Sequence, residues 1–197
     1  MNYLLQFDEY LFQVINGEWH NNFLDFVMPW WRDKKFWIPA YIAGAGYLVW
    51  KYKLRSIFFI LSIAMTIAVS DTLSSKVIKK TVKRPRPCRN EVLAQDLNLL
   101  VHCGGGYSFT SSHATNHFAL AVFIITLFGG MRKRWKYLLI IWAGSIAFGQ
   151  VYVGVHYPID VIAGGLLGTA VGWLMAKFMT TNKLTRKFLF GNSAISV

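Results

Sequence analysis

Apolar positions in this chain cluster into five long runs, from about Phe36 to Tyr52, Ser56 to Ser74, Ala114 to Met131, Tyr137 to Val155 and Pro158 to Phe178. A helix needs roughly 20 mostly apolar residues to cross a bilayer, and slightly fewer suffice where Lys or Arg can snorkel at the ends. The pattern therefore predicts an all-α polytopic membrane helix bundle of five transmembrane helices. Two connections are short, basic and free of acids: Lys51, Lys53, Arg55, and then Arg132, Lys133, Arg134, Lys136. Such turns are typical of a cytoplasmic face. Ahead of the first run, Asp8, Glu9, Glu18, His20 and Asp25 are dispersed among Leu, Phe and Trp. That mixture suits an amphipathic segment lying in the interface rather than a cleaved signal peptide. The expected organisation is an interfacial segment over residues 1–35, a transmembrane domain over 36–179 and a cytoplasmic tail over 180–197.

Composition agrees with the pattern. Of 197 residues, 54% are hydrophobic, 16% aromatic and only 15% charged, with a mean hydropathy of +0.36. A soluble domain carries about a quarter charged residues. The net charge of +12 comes from 21 Lys and Arg against 9 acids. A nucleic-acid module would gather such charge on one soluble face, whereas here it falls between apolar runs, which suits lipid headgroups. With the two basic turns placed inside, eleven Lys and Arg lie inside and ten outside. Seven of those ten form one run, Lys76 to Arg89, and require another explanation.

Three clusters carry candidate chemistry, and the assumed topology puts all three at one face. The first is Lys79 to Pro87, in which Pro85 and Pro87 end the helix and fix where the charges point. Arg forks onto two phosphate oxygens and Lys adds a point charge, so this run could be either a phosphate site or a simple interfacial anchor. The second, Tyr107 to Ala114, follows three glycines and opens the third apolar run. Its Ser and Thr residues are N-cap types, and a capped helix start offers free N–H groups to an anion. Capping alone does not call for His113. The third cluster, Gly149 to Asp160, spaces His156 and Asp160 one helical turn apart, with Pro158 opening the last run. A carboxylate there can hold one imidazole nitrogen and leave the other free, the orienting logic of a catalytic dyad.

Together these clusters resemble the type-2 phosphatidic acid phosphatase superfamily of membrane lipid phosphatases. Lys79, Arg86 and Pro87 match the first element of its signature; Ser111 and His113 match the second, with Thr110 and Ser112 replacing Pro and Gly. His156 and Asp160 match the third, but Gly149 and Gln150 stand where the family has Ser and Arg. The resemblance implies a phosphatase without metal or other cofactor. In it His156 is the nucleophile, Asp160 orients it, and His113 is the general acid. Lys79, Arg86, Ser111, Ser112 and Gln150 line the phosphate. Gln150 can donate a hydrogen bond but brings no charge, and Lys80, Lys83 or Arg84 could make up the deficit.

The expected activity is removal of phosphate from a lipid phosphate or diphosphate held in the bilayer. Undecaprenyl diphosphate is the first guess, beside phosphatidylglycerol phosphate, phosphatidic acid and lipid A phosphate. No nucleic-acid partner is expected. The alternative is a non-catalytic lipid-phosphate binder or transport protein that lost turnover through Gln150. A metal-dependent hydrolase using His113 and His117 is a third reading. Gly164, Gly168 and Gly172 form a small-residue ridge suited to close packing inside the bundle, and the same ridge could support a homodimer. Cys88 and Cys103 lie in the loop between the second and third runs, where a disulfide would need an oxidising compartment. The expected location is a bacterial inner membrane with the site on its periplasmic face.

Overall fold

The computed structural model describes residues 3–182 together with 185, 188 and 189. The predicted tail beyond 182 lies almost wholly outside the described residues. The described chain is helical throughout its regular structure. The N-terminal segment contains α1 (Tyr3–Gln13), continued by a π-helical turn at Val14–Glu18, and α2 (Asn22–Trp31). Then follow α3 (Ile38–Tyr52), α4 (Ser56–Asp71), α5 (Lys79–Val82), α6 (Ser112–Leu127), α7 (Lys133–Tyr152) and α8 (Pro158–Thr181). A π-helical stretch at Thr72–Ile78 joins α4 to α5, so this helix runs past the predicted limit at Ser74 and carries Lys79 with it. All five predicted apolar runs are largely helical. Ile38–Arg89 and Pro158–Thr181 are long and apolar enough to cross a membrane, and α6 is a shorter apolar helix.

Large apolar side chains cover the outside of these helices. Ile42, Trp50, Leu61, Met65, Ile141, Leu166 and Leu174 are all at least half exposed. A protein in water would not leave so continuous an apolar coat, but hydrocarbon is its natural solvent. The interior combines large side chains such as Phe59, Phe123 and Ile146 with small residues and with polar groups that bond along their own helices. Thr66 Oγ1, for instance, donates to the Ser62 carbonyl at 2.8 Å.

Helices α6 and α8 form the closest pair, and the glycine ridge explains why. A Cβ at Gly168 would lie 2.1 Å from the Thr115 carbonyl oxygen, and one at Gly172 would lie 2.3 Å from that of Ala119. The ridge is therefore occupied within the chain, and a homodimer would have to use another face. Gly168→Val is expected to destabilise the fold by about 1–3 kcal/mol or more, because backbone rather than a flexible side chain must move. Gly44→Ala, where nothing lies within 4 Å, is expected to be neutral or slightly stabilising. Thermal unfolding of the two variants in one detergent checks the contrast.

The N-terminal segment does more than lie at a surface. Asp8, Phe12 and Asn16 are buried, while Tyr3, Leu4, Phe7 and Tyr10 point outward. Asn16 donates to the carbonyls of Asn98 (2.8 Å) and Tyr152 (2.7 Å) and accepts from Asn98 N–H (3.0 Å). One side chain thus ties this segment, the long loop and the end of α7 together. Phe12 packs with Leu93, Val151 and Tyr157 beneath the turn that joins α7 to α8.

Candidate active site

That turn begins where α7 stops at Tyr152. Gly154 sits at φ +87°, a left-handed conformation that costs an L residue, and a Cβ there would meet Leu97 at 3.0 Å. The reversal returns the chain so that the His156 N–H donates to the Gln150 carbonyl at 3.2 Å. Pro158 then starts α8, and Asp160, in its first turn, accepts the Tyr157 N–H on Oδ2 at 2.9 Å. The same oxygen lies 3.5 Å from His156 Nδ1, which has no other partner. The contact is at the outer limit of a hydrogen bond, yet it leaves Nε2 as the free nitrogen. His156 is only 2% exposed. Burial drives its pKa down to about 4, with Lys79 and Arg86 reinforcing the effect and Asp160 opposing it, so the imidazole is neutral at physiological pH.

The start of α6 is fixed against this turn. Ser111 N–H donates to the Asp160 carbonyl at 3.0 Å, and Ser111 Oγ, at the N-cap, accepts the Ala114 N–H at 3.4 Å. Ser112 and Thr110 both bond to Ser74 Oγ, at 2.9 and 3.3 Å, which anchors this cap on the π-helical stretch. His113 follows one residue into the helix. Lys79 Nζ reaches the carbonyls of Tyr107 (2.8 Å) and Ser108 (3.2 Å), bridging the first and second clusters. Arg86 donates to the Val155 carbonyl, one residue from His156, through a long 3.4 Å contact, and its Nε is buried without a partner. Residues predicted from three separate clusters are thus drawn to one end of the bundle. Gln150 is fully buried there, with both amide atoms unpaired.

Cys88 and Cys103 form a disulfide across the long loop, with a Cα separation of 6.0 Å. Arg89 donates to the Gly104 carbonyl beside it at 2.7 Å. Proline-ended helix, disulfide and glycine turn together restrict the backbone that carries Arg86.

Two sequence expectations need correction. Arg84 does not supply free charge. Its two terminal nitrogens pair with Asp160 Oδ1 at 2.9 Å and Asp8 Oδ2 at 2.7 Å, and its guanidinium lies 3.8 Å over the Tyr157 ring. Lys80 and Lys83 are exposed. His113 and His117 do not both present free nitrogens either. His117 Nδ1 contacts the His113 carbonyl at 2.7 Å and Nε2 contacts the Tyr41 hydroxyl at 3.1 Å, so protein groups engage both. Asp71, near the start of the π-helical stretch, accepts from Asn116 at 3.1 Å and Ser75 at 3.2 Å.

Asp8 and the partners of Arg84 were missed. Asp8 accepts Ile159 N–H on Oδ1 at 2.8 Å and Arg84 on Oδ2, so the N-terminal helix touches both the start of α8 and the basic loop. An acid in an amphipathic segment looks like any other solvated charge, and only the fold shows that it is buried.

Solved structures resemble this one closely. A transmembrane PAP2-type phosphatidylglycerolphosphate phosphatase from Bacillus subtilis aligns with TM-score 0.70 over 93% of this chain and 89% of its own, at 21% identity, a likeness of fold. The LpxE protein of Aquifex aeolicus aligns with TM-score 0.62 over 86% of this chain and 94% of its own, at 26% identity. Fold and sequence together define a membrane lipid phosphatase. The chain belongs to the PAP2 superfamily, whose model matches residues 55–184. It is also 33% identical to the lipid A 4'-phosphatase of Bacteroides thetaiotaomicron over 95% of this chain and 82% of that one.

Proposed function

We propose that the chain hydrolyses a lipid phosphate monoester or diphosphate through a phosphohistidine. The carrying observation is the meeting of a buried, neutral imidazole beside a carboxylate with two cationic side chains and a capped helix start at one end of the bundle. His156 Nε2 attacks phosphorus while the bond from phosphorus to the lipid oxygen breaks, and His113 delivers a proton to that oxygen. Water then attacks phosphorus, the P–N bond breaks and phosphate leaves. Asp160 holds the tautomer and balances the charge that the imidazole gains. Lys79, Arg86, the Ser111 side chain and the N–H groups near Ser112 bind the equatorial oxygens, whose charge grows most in the transition state.

Similarity to the Bacteroides enzyme supports lipid A 4'-phosphate as the first candidate substrate, and similarity to undecaprenyl-diphosphatases supports undecaprenyl diphosphate as the next. The apolar coat supports entry from the bilayer, the lipid tail staying in hydrocarbon while the headgroup meets the basic loop. A disulfide in that loop supports a site on the oxidising side of the membrane. The test is phosphate release from a panel of lipid phosphates by detergent-purified protein in EDTA. Release from the lipid A substrate with the highest kcat/KM supports the reading. Binding of every lipid without release from any would overturn it and leave a binding protein.

A further inference from the structure

Gln150 brings no charge to the position where the family pattern has an Arg, and another element carries a guanidinium beside its helix. Arg32 caps the C-terminal end of α2. Its Cβ lies 3.2 Å from where a Cβ on Gly149 would be, so the bare backbone of Gly149 is the surface on which the Arg32 stem rests. Arg32 Nε is buried and has no partner. His113 and Arg86 are both within its electrostatic reach. An ordinary interfacial anchor would keep its whole guanidinium in water, whereas Arg32 is only partly exposed and has its Nε buried.

Several bonds hold it there. Tyr152 hydroxyl donates to Asp25 at 2.6 Å and accepts the Asn21 N–H at 3.1 Å, fixing α2 to α7. Trp31 Nε1 donates to Ser145 Oγ at 2.9 Å, and Trp37 Nε1 donates to the Trp31 carbonyl at 2.8 Å. The backbone immediately before Arg32 is thus secured on the same face of α7 that carries Gly149.

We propose that Arg32 is a phosphate-binding residue of this site, reaching over Gly149 from the N-terminal segment to provide the guanidinium that position 150 lacks. The proposal rests on the phosphatase reading above. Burial, with Arg86 beside it and Asp33 opposing, holds the Arg32 guanidinium down to about 10. Arg32 and Arg86 are both partly buried, each with an unpartnered Nε, and a phosphoryl group offers one oxygen edge to each. Gly149 and Gln150 then form one adaptation, since a side chain at 149 would push Arg32 away and a guanidinium at 150 would compete with it.

The test compares Arg32→Met, which keeps the packed stem, with Arg32→Lys, Gln150→Arg and the Arg32→Met/Gln150→Arg double variant. Each is assayed for kcat/KM on the best lipid substrate and for binding of inorganic phosphate by calorimetry. Arg32→Met is expected to lose about 10²–10³-fold in kcat/KM and at least tenfold in phosphate affinity at unchanged Tm. Lys should restore part of the loss, and the double variant should recover at least tenfold over Arg32→Met. An Arg32→Met protein within threefold of wild type in both measurements would overturn the proposal. So would a loss that neither Lys nor Gln150→Arg relieves. If wild type releases no phosphate from any lipid, the phosphatase reading fails by itself, and the calorimetric comparison still decides whether Arg32 binds phosphate.

Discussion

His156→Ala is expected to abolish phosphate release, lowering kcat by roughly 10⁴-fold or more, because it removes the nitrogen on which the proposed covalent intermediate forms. Asp160→Asn should leave the fold intact yet cost about 10²–10⁴-fold, since an amide can present the wrong partner to Nδ1 and cannot balance an imidazolium. A His156→Ala protein retaining a tenth of wild-type activity would remove the phosphohistidine from the mechanism. The pH dependence gives a second check. The nucleophile must be neutral, and burial has lowered its pKa from an ordinary 6.5 to about 4. Protonation of His156 therefore limits kcat/KM only as pH approaches 4, not near 6.5. Stability follows the same sign. The unfolded chain takes up this proton near 6.5 and the folded chain only near 4, so this group's contribution declines as pH falls through that window and is constant above it. An acid limb centred at 6.5 that disappears in an Asp160 variant would contradict the neutral buried imidazole.

Much of this arrangement was legible in the sequence because it depends on local rules. Hydrophobic runs near bilayer length specify helices whatever they pack against, and Pro158 and Ser111 announce helix starts. The spacing of His156 and Asp160 places them on one turn without any tertiary information. The family resemblance rested on such spacings, and the superfamily match over residues 55–184 agrees with it. What the sequence concealed was pairing between distant segments. Asp8 and Arg84 are 76 positions apart, as are Arg84 and Asp160. No periodicity links them. A basic run next to a membrane helix reads as a set of equivalent cations, but in the folded chain each has a different fate. Lys79 bridges loop carbonyls, Arg84 is neutralised by two carboxylates, Arg86 reaches the backbone beside His156, and Lys80 and Lys83 face outward. Arg32 was obscure for the same reason: its place depends on how α2 docks on α7, and the docking bonds come from Tyr152, Trp31 and Trp37.

Arg84 is expected to be the residue outside the nucleophile pair whose loss is most damaging to the fold. Its guanidinium joins two fully buried carboxylates, Asp8 from α1 and Asp160 from α8, at 2.7 and 2.9 Å. Burial already pushes the Asp8 carboxyl up, against the pull of Arg84. Removing the cation leaves two like charges facing one another without water. Breaking a buried pair in this way costs about 3–5 kcal/mol, so Arg84→Ala should unfold at a much lower temperature. Lys is no remedy, because one ammonium cannot fork between two acids or lie flat on the Tyr157 ring. Asp8→Asn is the gentler probe. It keeps an acceptor for the Ile159 N–H and removes one charge, leaving Arg84 to draw more strongly on Asp160. The expected outcome is a modest change in Tm with kcat reduced about tenfold and KM little altered, because Asp160 then presents less negative charge to Nδ1 of His156 at the moment the imidazole becomes cationic. Measured together, kcat, KM and Tm separate the two functions of the network. If Asp8→Asn lowers Tm and leaves kcat untouched, the Asp8–Arg84–Asp160 chain only fastens the N-terminal helix to the bundle and does not position the nucleophile.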